Sequence, residues 1–372
     1  MRPSQIEIRA VTGGIGAEIG NVDISQDLDQ GTIGDIRQAL LDHCVIFFHD
    51  QELSAQRQKA FTRRFGEIFI HPNYRGMQED PEILQITREP GDARIIGEEW
   101  HADATMMPEP PMGAILYAVE VPPFGGDTLF ANQYLAYEAL SVGMKNMLAG
   151  LRALHSDRKV AGPDANRNAQ RSTKVREDAD WRETISAHPV VVTHPETGRR
   201  LLYVNRSYTF GFERLTEEES APLLHFLLEH GNRPEFTCRF RWKRGSIAFW
   251  DNRSCKHLAV HDAGGFRRVM RRTQIRGGPL HCIAPRTALS CNAGTHSTEA
   301  KPPGTAPQRP AACGRAMACG DGRKRRPRRS VQPHRAGWAR ANRQARANLP
   351  FPSAESGRRP PCPKMMQCSR KR

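Results

Sequence analysis

Residues 112–132 read MGAILYAVEVPPFGGDTLFAN: a run dense in aliphatic and aromatic residues, a proline–glycine break, then a second short run. Runs of this composition bounded by Gly and Pro are the pattern of short strands joined by turns. The texture spreads outward from here. EILQI, HPVVVTH, RLLYVN, EFTCRFRW, GSIAFWDN and RRVMRRTQIR repeat it between residues 82 and 276. Helical periodicity interrupts it near residues 132–148 and 216–229. Upstream, helices are expected over 31–43 and 54–65, with Ser54 as the N-cap of the second and the apolar strand CVIFF (44–48) between them. GGIGAEIG (13–20) has the spacing G-x-G-x-x-x-G and no long helix after it, so it is expected to be a turn between two strands rather than a dinucleotide loop. Eight or more strands with few helices predict a mainly β protein with flanking helices, a double-stranded β-helix (jelly roll), and not an alternating α/β fold.

The charge is uneven along the chain. The 372 residues carry a net +15. Residues 279–372 hold 20 Lys+Arg against Glu299, Asp321 and Glu355, a net of +17, so residues 1–278 carry 15 − 17 = −2. The same last quarter has 13 of the 27 prolines, six of the nine cysteines, and Trp338 and Phe351 as its only aromatics. Such a segment has too little apolar surface to offset the entropy of ordering. The expected organisation is one domain over 1–278 and a basic, Pro/Arg/Ala-rich disordered tail over 279–372. Scattered thiols in the body and no apolar run of membrane-spanning length give the expectation of a cytoplasmic protein without membrane partners. Residues 155–186 are polar and charge-mixed, and are expected to form a lid loop.

Two motifs carry the chemistry. WHAD (100–103) places His101 and Asp103 two residues apart, on one face of an extended strand. WDNRSCKH ends at His257, directly after the strand GSIAFW. Two histidines and one carboxylate on one side of a metal are the ligand set of non-haem Fe(II) oxygenases, and leave positions for a chelating 2-oxo acid and O₂. Downstream, FRRVMRRTQIR puts Arg268 and Arg272 on the same strand face, where an arginine fork meets the far carboxylate of a dicarboxylic co-substrate. A second H-x-D copy, His155–Ser156–Asp157, falls in the expected loop and is not assigned to a metal.

WHADATMMPEPPMGAILYAVEVPPFGGDTLFANQYLAYEAL and IAFWDNRSCKHLAV…RRVMRRTQIRG resemble the taurine and aryloxyalkanoate dioxygenase family, and the likeness runs through most of residues 5–278. The resemblance implies a jelly roll with His101, Asp103 and His257 as Fe(II) ligands and O₂ as oxidant. It implies that Thr128, Arg268 and Arg272 contact 2-oxoglutarate, and that His71, Tyr74, Ala104 and Arg272 contact a small anionic organic substrate. The activity expected is hydroxylation of taurine or a related sulfonate with release of sulfite; a sulfate ester or an aryloxyalkanoate is the alternative. Two departures bear on this. Gly97-Glu98-Glu99 stands where taurine-like members carry an amide before W-H-x-D, and the lid aromatic is replaced near Val160–Ala161. A homo-oligomer is compatible with the sequence. From another class, the basic tail raises a nucleic-acid-associated protein without oxygenase activity, although charge alone gives no specific nucleic-acid binding.

Overall fold

The computed structural model describes residues 6–163, 168–176 and 181–282. Its first half runs β1 (Glu7–Ala10), β2 (Ala17–Gly20), α1 (Gln30–His43), β3 (Val45–Phe48), α2 (Ala55–Arg63), β4 (Leu84–Arg88), β5 (Gly113–Glu120) and β6 (Thr128–Asn132). There follow α3 (Gln133–Glu138), α4 (Val142–Leu148), β7 (Arg152–Ser156), α5 (Arg158–Ala161), β8 (Ile185–Pro189), β9 (Val191–Thr193), β10 (Arg200–Leu202) and β11 (Thr209–Phe212). The chain closes with α6 (Glu217–His230), β12 (Thr237–Phe240), β13 (Ile247–Asp251), β14 (Cys255–Ala259) and β15 (Arg268–Ile275).

A seven-stranded sheet, in the order β1-β2-β3-β13-β5-β15-β4, forms one wall of the jelly roll. Its central strands are apolar throughout because both faces are covered. Ile46, Phe48, Ile115, Tyr117, Ile247 and Phe249 point to a core shared with α1 and α2, while Val45, Phe47, Leu116, Ala248 and Trp250 point to the core inside the roll. The opposite wall includes β12-β6-β14, whose Phe130, Cys238 and Phe240 enter that inner core. Two smaller sheets, β10-β9 and β11-β7-β8, extend the structure. Glycine 16 (φ 87°) makes the turn into β2, where an added Cβ would stand 3.1 Å from Cys238 Sγ, so GGIGAEIG is a turn as expected.

Helix starts follow local hydrogen bonding. Asp29 accepts from the Gly31 and Thr32 amides, Ser54 from Arg57, and Thr216 with Glu219 forms a capping box. The single helix expected over 132–148 is instead two, because Asn132 and Ser141 each accept backbone amides and start a new helix. The expected lid also differs. Residues 152–156 are strand β7, α5 and a 3₁₀ turn (Asn168–Gln170) follow, and β8 begins at Ile185. His155, expected in a loop, is fully buried, with Nδ1 2.9 Å from Thr105 Oγ1. The polar HSD run is buried because its partners come from elsewhere in the fold: Thr105 meets His155, Glu183 accepts from Ser156, and Asp157 accepts from Asn73 Nδ2 and the Thr184 amide.

Past the expected boundary at residue 278, Leu280 packs on the inner core and the Thr193 amide donates to His281 O at 2.9 Å, so the body extends at least that far. The rest of the expected tail lies outside the described residues. No helix among the described residues is long and apolar enough to cross a membrane.

Candidate metal centre and its two cavities

His101 and His257 come from distant parts of the chain and meet as an isolated β-bridge. The His101 amide donates to His257 O at 3.0 Å and the His257 amide to His101 O at 2.8 Å. Their Nε2 atoms lie 3.7 and 4.0 Å from Asp103 Oδ1, and one ligand atom from each of the three residues falls within 4.8 Å of the others. His101 Nδ1 donates to Glu99 O at 2.8 Å, which leaves Nε2 as the free lone pair. Glycine 97 allows this packing: its φ is 79°, and a Cβ there would stand 3.0 Å from His101 Cε1.

The protonation states suit a divalent cation. Burial pushes the pKa of both imidazoles down, that of His257 far down, so both are neutral near pH 7. Burial alone would raise Asp103, but Arg272, then His257 and His101, hold it down at about 2. Two neutral imidazoles and a carboxylate are the deprotonated ligands that a metal requires. Asp103 Oδ2 is buried with no hydrogen-bond partner among the described residues, an orphaned anion atom that a cation would satisfy.

Asn252 fixes Asp103 in place. Its Oδ1 accepts from the Asp103 amide at 2.7 Å, and its Nδ2 donates to Asp103 O and Pro111 O, each at 3.0 Å. Asp251 beside it is paired with Arg253 (Nε to Oδ1, 2.9 Å) and His194 (Nε2 to Oδ2, 3.0 Å), so the WDNR turn is held from both sides before the chain enters β14. Ala104 has a left-handed φ of 50° and turns the chain directly after Asp103. Its methyl group packs with Met106 and Tyr208, and it is not among the residues lining the second cavity described below.

Arg268 and Arg88 sit directly opposite each other on β15 and β4 and line one cavity together with Arg171. Buried Nε and Nη2 of Arg268 have no partner among the described residues, and its guanidinium lies 5.6 Å from the Trp242 ring. Burial, followed by Arg88, lowers its pKa to about 10, so it stays charged at neutral pH. Trp242 Nε1 donates to Thr128 Oγ1 at 2.9 Å, leaving the threonine hydroxyl proton to be donated elsewhere. This arrangement accommodates a carboxylate.

A second cavity adjoins the cluster and is lined by His71, Tyr74, Val160, Ser207, Tyr208 and Arg272, among others. The Asn73 amide donates to His71 Nδ1 at 3.1 Å, which places the ring proton on Nε2. Burial, then Arg272, lowers the His71 pKa to about 3, so it is a neutral donor. Arg272 Nη1 donates to Asp103 Oδ1 at 2.9 Å, while its buried Nε has no partner. Glu98 and Glu99 line this cavity too, but Glu98 is ion-paired with Arg94 and Glu99 with Lys159 Nζ at 2.7 Å.

The structure thus gathers His101, Asp103, His257, His71, Tyr74 and Arg272 at one place, with Arg268 lining the neighbouring cavity and Thr128 linked to it through Trp242. Arg88, Arg171, Trp242 and Asn252 were not singled out from the sequence. Only Asn252 gave a signal, since it lies inside the quoted WDNR motif.

A jelly roll that brings two neutral imidazoles and one carboxylate together beside a cationic cavity is the framework of a non-haem iron oxygenase using a 2-oxo acid. Comparison with known proteins extends this. The chain belongs to the taurine catabolism dioxygenase TauD, TfdA family, whose model matches residues 7–274. It is therefore a 2-oxoglutarate-dependent dioxygenase that uses Fe(II) and O₂. It is 35% identical over 278 residues to an alkylsulfatase of Acinetobacter baylyi, covering 73% of this chain and 86% of that one. An α-ketoglutarate-dependent sulfate ester dioxygenase of Pseudomonas putida is 34% identical over 278 residues, covering 73% and 90%. The solved structure of a taurine dioxygenase from Burkholderia xenovorans superposes with a TM-score of 0.62 at 37% identity, covering 76% of this chain and 93% of that one.

Proposed function

We propose that this dioxygenase oxidises small organic sulfate esters that carry no ammonium group. The observation that carries the reading is the charge of the substrate-side cavity. Arg272 and His71 offer donors to an anionic head, while Glu98 and Glu99, the acids available to an ammonium group, are engaged by Arg94 and Lys159. The similarity to an alkylsulfatase and a sulfate ester dioxygenase supports the same class. A sulfonate such as taurine is the second reading, favoured by the likeness to the taurine dioxygenase structure.

In this proposal His101 Nε2, His257 Nε2 and Asp103 hold Fe(II). Thr128 and Arg268 take the far carboxylate of 2-oxoglutarate, and Arg272, His71 and Tyr74 take the substrate's anionic head. The iron, with 2-oxoglutarate and O₂, supplies the oxidising power for C–H hydroxylation, yielding succinate and CO₂. The protein's residues supply positioning. The His71 Nε2 proton and the Arg272 fork hold the sulfate oxygens, so the carbon bearing the ester oxygen faces the metal centre. Tyr74, edge-on to His71 at 4.8 Å, and Val160 with Tyr208 exclude water around it. Hydroxylation of that carbon gives a hemiacetal sulfate. Its C–O bond to sulfate breaks as the new hydroxyl loses its proton, leaving an aldehyde and inorganic sulfate.

The test is a panel of hexyl sulfate, taurine and an aryloxyacetate, assayed for succinate together with sulfate or sulfite. Stoichiometric sulfate and succinate from hexyl sulfate are expected. Turnover of taurine alone, with sulfite, would move the assignment to the second reading.

A further inference from the structure

We propose that Arg171 is a further anion-binding residue of the co-substrate cavity, where it meets the far carboxylate of the 2-oxo acid together with Arg268. The inference rests on the reading of that cavity given above.

Arg171 is 6% exposed, and its buried Nε and Nη2 have no partner among the described residues. An arginine desolvated without an anion is costly, and a protein retains one where a ligand completes it. Its placement is imposed by its neighbours rather than by an attraction of its own. On one side the Arg94 amide donates to Gln170 O at 3.0 Å. On the other, Ser172 donates to Asp92 through its amide (3.0 Å) and its hydroxyl (2.8 Å). Thr173 Oγ1 then accepts from the Thr87 amide at 2.7 Å and donates to Thr87 O at 2.8 Å, and Val175 bridges to Tyr74. Residues 170–175 are therefore tied to the strand that carries Arg88, and Arg171 is presented to the cavity between two of these ties.

The cavity it enters already holds like charges. Arg88 and Arg268 are cross-strand partners, an arrangement that repels unless an anion lies between them. Asp92 is the only acid among the described residues lining it, and it accepts from Ser172 and from the Glu89 amide at 3.0 Å. Arg88, Arg171 and Arg268, together with an Arg94 already paired to Glu98, therefore line a space whose one acid among the described lining residues is already engaged. A carboxylate presents about four lone-pair sites, enough for more than one arginine and the Thr128 hydroxyl. Arg171 also lines the substrate-side cavity, so the residue that grips the co-substrate forms part of the wall against which the substrate packs.

The experiment uses the full chain, loaded with Fe(II) without oxygen, and two probes. 2-Oxoglutarate has the far carboxylate; pyruvate is a 2-oxo acid without it. Dissociation constants are measured by equilibrium dialysis for the wild type, Arg171→Gln, Arg171→Lys and Arg268→Gln. Loss of one charge-assisted contact predicts that Arg171→Gln binds 2-oxoglutarate roughly 10- to 100-fold more weakly while pyruvate binding stays within about twofold. Arg171→Lys should fall between. Hydrogen exchange at the Ser172 and Val175 amides should be slowed by 2-oxoglutarate in the wild type and not in Arg171→Gln. Equal losses for both acids would reduce Arg171 to a structural residue, and no loss for either would remove it from the site; both overturn the proposal. Arg268→Gln is the separate control. If it keeps the wild-type preference for 2-oxoglutarate over pyruvate, the reading of the cavity itself fails, whatever Arg171 does.

Discussion

Replacing Asn252 by alanine should loosen the metal centre without touching any proposed ligand. The side chain makes three hydrogen bonds of 2.7–3.0 Å to the Asp103 amide, the Asp103 carbonyl and the Pro111 carbonyl, and is 1% exposed. At about 1 kcal/mol net for each bond, the deletion costs about 3 kcal/mol of stability. At about 2–4 °C per kcal/mol for a body of this size, that lowers Tm by roughly 6–12 °C. The effect on metal binding is the more diagnostic one. Asp103 is followed by a left-handed alanine, so once its backbone is unpinned its carboxylate is held by Arg272 alone. Loss of such a supporting residue costs about 10- to 100-fold in metal affinity. Asn252→Asp serves as the companion variant: it keeps the volume and can accept from the Asp103 amide, but cannot donate to the two carbonyls. Thermal unfolding of the metal-free proteins and Mn(II) titration measure the two effects. Metal affinity within about twofold of wild type in both variants would refute the reasoning, even if Tm fell.

His101→Ala, Asp103→Ala and His257→Ala should each abolish iron retention after anaerobic reconstitution, whereas His155→Ala should lose stability and still bind iron; full retention in the His257 variant would sink the assignment. Arg268→Ala should weaken 2-oxoglutarate by an amount equivalent to about 3–5 kcal/mol, because it leaves a buried carboxylate unpaired, while Arg272→Ala should mainly weaken the sulfate ester; equal losses in both titrations would contradict separate roles. Acid should destabilise the metal-free protein. Burial lowers His155 and His188, and burial with Arg272 lowers His71 from 6.5 to about 3, so below pH 6.5 the unfolded chain takes up protons that the folded one does not. Stability is complete above that pH and declines as pH falls from 6.5 toward 3; urea unfolding that is equally hard at pH 7.5 and pH 5 would contradict this.

The fold was legible because the central strands are covered on both faces and read as unbroken apolar runs; CVIFF and GSIAFW needed no more than composition to be placed. The candidate ligands His101, Asp103 and His257 were legible because an H-x-D motif and a far histidine after an apolar strand are local patterns, although Asp103 itself stands in a turn and, of that pair, only His101 forms a β-bridge. Strand β7 escaped notice because its polar residues find partners inside the protein, and burial of a polar residue has no signature in one sequence. The arginines divide in the same way. Arg268 and Arg272 stand in a basic strand at a telling distance from His257, whereas Arg88 and Arg171 become part of a site only through strand pairing and the ties at Asp92 and Thr87. Nor could spacing foretell that Glu98 and Glu99 would be neutralised by Arg94 and Lys159, the contacts on which the proposed substrate class depends.

The bridge between His101 and His257 also constrains the order of assembly. It closes a loop of 155 intervening residues, 102–256, so it is a contact of very high sequence separation. Such contacts incur their loop-closure entropy before they return any energy, and they form late in folding. During synthesis from the N-terminus, WHAD is made long before β14 exists, and its His-x-Asp pair alone is a poor chelator. At the proposed site, iron loading is therefore expected to follow folding instead of directing it. Refolding rates of the body should be insensitive to added Fe(II) or Mn(II), with the metal's stabilisation appearing only in the unfolding rate.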